Sequence, residues 1–155
     1  MPGGLVPADR TCGACSACCF VLGVKPIDKP PFQRCEHACE KGCGIYEQRP
    51  APCANYRCGW LEGFGDRRDR PDRLGVIVDR LAPSAETQER AASGDAEAIE
   101  QVEQAKRTVR AREVRRGALE TPRVRRHLEA LHRDGRLVVL VPFAGRKLPV
   151  GRPLA

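Results

Sequence analysis

The sequence predicts an α+β protein: a small, irregular, cysteine-rich module followed by a strand–helix–helix–strand unit. Three observations carry that prediction. All nine cysteines lie between Cys12 and Cys58, and the 97 residues beyond hold none. The cysteine zone is poor in large apolar side chains, and about fifty such residues cannot build an adequate core alone. From Leu74 onward the patterning is that of ordinary strands and helices. The expected organisation is a cysteine-cluster module over residues 1–64, a charged linker over 65–73, and the α+β unit over 74–155.

The module begins with "CGACSACC", which supplies Cys12, Cys15, Cys18 and Cys19. Two-residue gaps let the chain curl so that successive sulfurs converge on one ion at about 2.3 Å. Gly13, Ala14, Ser16 and Ala17 are small enough for that wrap. A second group supplies Cys35, Cys39, Cys43, Cys53 and Cys58. Gly42 and Gly44 flank Cys43, which suits a turn bringing backbone close to a metal. A bacterial ferredoxin run is excluded, because the fourth cysteine here is adjacent to the third and is followed by Phe20 rather than proline. Neighbouring side chains usually point apart, so Cys18 and Cys19 are expected to serve different metals, or one to ligate while the other packs. Cys39 is set apart by its crowding between two other cysteines and by the charge around it. His37 is a ligand candidate, but with sulfur already in excess a surface loop position weighs at least as much.

The stretch "GDRRDRPDR" (65–73) combines dense charge with Pro71 and is read as a linker without regular structure. "LGVIVDRL" (74–81) is rich in β-branched residues and predicts a strand. Residues 95–110 place Ile99, Val102, Ala105 and Val109 on one helical face. Thr121 before Pro122 reads as a helix start. Val124, Leu128 and Leu131 then line one face, and Gly135 is placed to end the helix. "RLVVLVPF" (136–143) predicts a second strand.

A chain of 155 residues with 41% hydrophobic and 30% charged content is of the globular class. No apolar run approaches the roughly 18–20 residues that span a bilayer, so no membrane association is expected. "MPGGLVPADRT" lacks the basic stretch and apolar core of a secretory signal, and the expected compartment is the cytoplasm. In a reducing compartment, clustered cysteines argue for metal ligation or catalysis rather than a disulfide framework. The odd count also fits poorly with full pairing. A structural metal supplies what the core lacks, on the order of 10–16 kcal/mol of apparent binding energy in small zinc peptides. The formal charge of +7 would ordinarily point to an anionic partner, but thiolate ligation lowers it.

"CGACSACC", then "CGIYEQRPAPC" and "CGW", resembles the YkgJ-like cysteine-cluster proteins, a family with a CxxCxxCC signature described as a zinc- or iron-chelating domain. The resemblance covers residues 12 to about 61. It implies a metal-ligand set of Cys12, Cys15, Cys18, Cys19, Cys35, Cys43, Cys53 and Cys58, accompanied by Ile45, Tyr46, Arg49 and Pro50. Cys39 is additional to the general pattern, although "CEHAC" looks like one subgroup. A flagellin lysine methylase carries a related cluster within a larger protein. Physically, Arg49 could donate to thiolates or nearby carbonyls. Pro50 and Pro52 would stiffen the approach to Cys53. Tyr46, Tyr56 and Trp60 could shield the site from water or simply pack.

The function expected first is therefore metal binding through about eight thiolates, with zinc as the ion and iron or an iron–sulfur cluster as the alternative. An iron–sulfur enzyme or redox protein related to lysine N-methylases is second. No glycine-rich cofactor fingerprint and no nucleophile–base pair stands out to favour it. A zinc-stabilised nucleic-acid-binding module is third. It rests on Lys106, Arg107, Arg110, Arg112, Arg115 and Arg116, with Arg123, Arg125, Arg126 and Arg133 beyond them. A solvated helix face accounts for that run better, since acidic residues precede it and aromatics are absent from it. The sequence names no protein partner.

Overall fold

The computed structural model describes residue 7 and residues 9–143. The outer ends of both expected regions, residues 1–6, 8 and 144–155, lie outside the described residues.

The N-terminal segment has little regular structure. Helix α1 (Ala17–Val21) is followed by the two-residue strands β1 (Ala38–Cys39) and β2 (Gly42–Cys43), which pair antiparallel, and by helix α2 (Ala51–Asn55). Next come helix α3 (Pro71–Leu74), strand β3 (Val76–Arg80), helices α4 (Ala85–Ala92) and α5 (Ala96–Arg107), and strand β4 (Thr108–Glu113). Helix α6 (Pro122–Arg133) and strand β5 (Leu137–Val141) complete the described chain. Strands β3, β4 and β5 form one sheet with β4 in the centre, antiparallel to β3 and parallel to β5. The protein is α+β, as its patterning predicts.

Strand alternation gives this sheet two covered faces. Val76, Val78, Val109 and Ala111 point to one side and pack against Leu74, Val124, Leu128 and Leu131, with the last three supplied by α6. Ile77 points to the other side and packs against Ala17 and Val21 of α1, with Cys58 and Trp60. The cysteine-bearing segment therefore forms a layer on the sheet. Phe143, just past β5, stacks on Phe20 at 5.2 Å between ring centroids, and its backbone N–H donates to the buried Glu113 carboxylate at 2.7 Å. Leu128 is 1% exposed at the centre of the first cluster. Leu128→Ala should cost about 2–5 kcal/mol of unfolding free energy, read from a urea titration.

Helix α6 follows its sequence signals. The Thr121 side chain accepts from the Val124 N–H, and Gly135 takes the left-handed conformation just beyond the helix. Three other expectations are corrected. The helix read over 95–110 stops at Arg107, and Val109 lies on β4, where Val109 and Ala111 alternate with Arg110 and Arg112. Helix α4 is additional; Ser84 caps it and it buries no residue, so no apolar stripe announced it. The unit is thus strand–helix–helix–strand–helix–strand. The stretch 65–73 is structured: Asp66 and Asp69 form a reciprocal capping box around a 3₁₀ turn, and α3 starts at Pro71. Its charges fold back on its own backbone, which a composition-based reading of a linker misses.

No helix among the described residues is long and apolar enough to cross a membrane. One titratable group is caught in the packing: His127 on α6, whose side chain is 8% exposed and lies 3.7 Å from Asp69. Burial holds its imidazole below the ordinary value of 6.5, and Asp69 opposes that shift while Arg123 adds to it. The unfolded chain therefore takes up the proton first. Its contribution to stability is present above pH about 6.5 and fades as pH falls through that value. The urea midpoint should drop between pH 7 and 5, and His127→Gln should flatten the drop.

Candidate metal centre

Seven of the eight cysteines expected as ligands line one cavity of about 50 Å³. They arrive from five segments: Cys12 and Cys15 from the N-terminal loop, Cys18 and Cys19 from α1, Cys35 from the loop before β1, Cys43 from β2, and Cys53 from α2. His37 also lines it, as do apolar side chains including Leu22, Val24 and Ile45.

Local structure explains the convergence. Ala17 and Val21 anchor α1 on the sheet side, which turns Cys18 and Cys19 toward the cavity. The Cys15 N–H donates to the Cys12 carbonyl at 2.8 Å, closing a tight turn. The Cys35 N–H donates to the Cys19 carbonyl at 3.1 Å, tying the second cysteine group to the first. Gly42 has φ +108° and lies against the 12–15 loop so closely that a Cβ would sit 2.5 Å from the Gly13 carbonyl oxygen. Only glycine admits that approach.

The electrostatics are those of a half-buried thiol cluster. Burial raises the Cys12, Cys43 and Cys53 thiols above their ordinary range and pushes Cys15 up to about 11. Cys18 and Cys19 share a side-chain hydrogen bond that raises Cys18 and lowers Cys19, and burial adds to the first and opposes the second. Cations sit close by. Lys29 is 8% exposed, and its Nζ donates to the carbonyls of Phe20 and Pro30 at 3.0 Å each and to that of Leu22. Burial lowers the Lys29 pKa, with Cys35 and Cys19 pulling it back up. Arg49 favours the Cys12 thiolate, while its Nε donates to the Tyr46 carbonyl at 2.7 Å and its guanidinium lies 3.7 Å from the Tyr46 ring centroid.

Several expectations are refined. Cys58 does not line the cavity; it is 7% exposed in the cluster of Ala17, Val21, Trp60 and Ile77, and burial raises its thiol. Cys39 is exposed and away from the cavity. Adjacent Cys18 and Cys19 do not point apart, because consecutive helical positions about 100° apart both reach a cavity at the helix flank. Arg49 donates to a carbonyl rather than to sulfur. Tyr56 and Trp60 face elsewhere: Tyr56 Oη donates to Asp79 at 2.7 Å, and Trp60 Nε1 donates to the Asp66 carbonyl at 3.1 Å.

As the side chains stand, no group of three or more Cys, His, Asp or Glu among the described residues is arranged to hold an ion. The thiols are gathered, and three of them bond among themselves, Cys19 to Cys18 and to Cys43, rather than to a common centre. In donor chemistry the set fits a thiophilic ion, since seven sulfurs and one imidazole face one small space with Lys29 and Arg49 beside it. Missed in the sequence were Lys29, which carries no motif, and the Asp79 network below the site. Arg110, Arg112 and Tyr56 all reach Asp79, and a strand-period reading of 108–113 would have placed both arginines on the face of Asp79. Compared with known protein families, with curated proteins and with solved structures, the chain finds no match.

Proposed function

We propose that this chain is a metal-binding protein that holds zinc through the thiolates around this cavity, and that it is related to the YkgJ-like cysteine-cluster proteins. The observation that supports the reading is the gathering of seven cysteines from five segments on one small cavity. Sequence spacing alone does not require it. An ion held here would take the cysteines as thiolates, and its binding would compete with the Cys18–Cys19 hydrogen bond. Zinc is preferred because thiolate-rich, tetrahedral, redox-silent ligation suits a site that stabilises a loop-rich fold. Cys12, Cys15, Cys18, Cys19, Cys35, Cys43 and Cys53 are the ligand pool. Lys29 and Arg49 offset the negative charge that the thiolates bring. Cys58 belongs to the supporting packing.

The test is a pair of substitutions read by metal content after reduction and desalting. Cys19→Ser should lose bound metal and soften the fold, because Cys19 bonds to Cys18 and Cys43 and its charge acts on Cys12, Cys18, Cys43 and Cys53. Cys39→Ser should keep the metal content of the parent protein. Equal metal content in the two variants would refute this ligand assignment.

A further inference from the structure

A second cleft, of about 720 Å³, shares no residue with the thiol cavity. It runs between the 65–69 turn with Arg73 of α3 on one side and the face of α6 that carries Arg123, Arg126 and His127 on the other. Its charges divide into two groups. Arg123 Nη2 donates to Asp69 Oδ1 at 2.9 Å, and Arg68 Nε donates to Asp66 Oδ1 at 3.2 Å, so those two cations are matched. Arg73 and Arg126, from facing elements, make no ion pair or side-chain hydrogen bond among the described residues. The cleft is therefore positive on balance.

His127 adds an independent observation. Its side chain is 8% exposed, lines the cleft, and has Asp69 Oδ2 at 3.7 Å from Nδ1, beyond hydrogen-bond reach. It makes no hydrogen bond among the described residues. Gly65 lies against the ring so closely that a Cβ there would meet His127 Cε1 at 2.4 Å, which fixes the imidazole in place. The buried side-chain atoms left without a partner lie elsewhere, on Glu62 and Arg112, so the His127 ring nitrogens are not sealed in the interior and can be reached from the cleft they line. Burial also keeps the ring neutral near pH 7, so one nitrogen donates and the other accepts.

We propose that this cleft binds a small phosphate-bearing molecule, its phosphoryl group held between Arg73 and Arg126 with the His127 imidazole as a hydrogen-bonding partner. The guanidinium fork matches phosphate oxygens bidentately. The cleft volume lies in the range of small-molecule sites. No Phe, Tyr or Trp lines it, so it lacks the stacking platform on which single-stranded nucleic acid relies.

The test uses the full-length, metal-loaded protein, titrated with inorganic phosphate, with adenosine 5′-monophosphate and with a single-stranded oligonucleotide, and followed by proton NMR of the His127 ring. The expected result is saturable one-site binding of phosphate and of the monophosphate, with the His127 resonance shifting. Arg73→Gln with Arg126→Gln should weaken it by roughly tenfold or more. Arg133→Gln, on the same helix but outside the cleft, should leave it unchanged. Far-UV circular dichroism keeps the readings separate from misfolding, and either single variant serves if the double variant is unfolded. Absence of saturable binding would overturn the proposal. So would equal weakening by Arg133→Gln, or oligonucleotide binding without monophosphate binding.

Discussion

Stripping metal from the reduced protein with a strong chelator is expected to unfold the chain between about residues 12 and 58. The reason is the thinness of what else holds that segment. Its regular structure amounts to two five-residue helices, a pair of two-residue strands and short 3₁₀ turns, and its anchor on the sheet is the small cluster around Val21, Trp60 and Ile77. Five of the seven thiols, Cys12, Cys15, Cys18, Cys43 and Cys53, are held above their ordinary range, and without an ion nothing gathers them. Structural zinc contributes on the order of 10–16 kcal/mol in comparable small sites, so its removal costs as much as the whole stability of a typical domain, about 5–15 kcal/mol. Limited proteolysis should cut rapidly between residues 22 and 57 after chelation. The helix α6 side of the sheet should survive longer, because its core of Val76, Val78, Val109, Leu128 and Leu131 includes no cysteine. Readdition of zinc should restore protection.

Asp79→Ala should be among the most damaging single substitutions away from the cysteines. The Asp79 side chain is 3% exposed and pairs with Arg112 and, at 3.1 Å, with Arg110. Tyr56 Oη donates to it as well, and burial followed by the Asp79 charge raises the tyrosine pKa. Removing the carboxylate leaves a guanidinium that is 11% exposed and a buried hydroxyl without their acceptor. Breaking a buried pair from one side costs about 3–5 kcal/mol. The network also joins the sheet to the segment after α2, so the loss should be felt on the cysteine side. The measurement is a urea titration of the metal-loaded variant beside the parent. Asp79→Asn should fall between them, since an amide keeps an acceptor for Tyr56 but gives up the charge.

Elements whose apolar residues keep a single period were legible in the sequence; those without a stripe, or whose period ran into a neighbour's, were hidden. Val124, Leu128 and Leu131 repeat at helical spacing, and α6 lies where they place it. The β-branched run at 76–78 became β3 for the same reason. Helix α4 buries nothing, so its sequence carries a cap but no stripe. Strand β4 was obscured by coincidence: Val102, Ala105 and Val109 keep helical spacing across the point where α5 ends, and the alternation of Val109 and Ala111 with arginines begins inside that pattern. The arginines then read as a basic run, whereas Arg110 and Arg112 turn toward Asp79 beneath the cysteine layer. Within the site, the resemblance to the cysteine-cluster family, rather than spacing alone, implied the set of cysteines expected to gather. It did not separate Cys58 from the rest, since burial against Ile77 is a contact made across the fold. Nor did it reveal Lys29, whose role depends on three backbone carbonyls brought together by the turn after α1.

The most direct test of the central claim is metal analysis with a visible absorption spectrum on protein purified under reduction and without oxygen. A colourless protein with at least one zinc ion bound per chain is the expected result. Iron with acid-labile sulfide in a brown protein would contradict the zinc assignment, and a metal-free protein that stays folded after reduction would contradict metal binding as the basis of this fold.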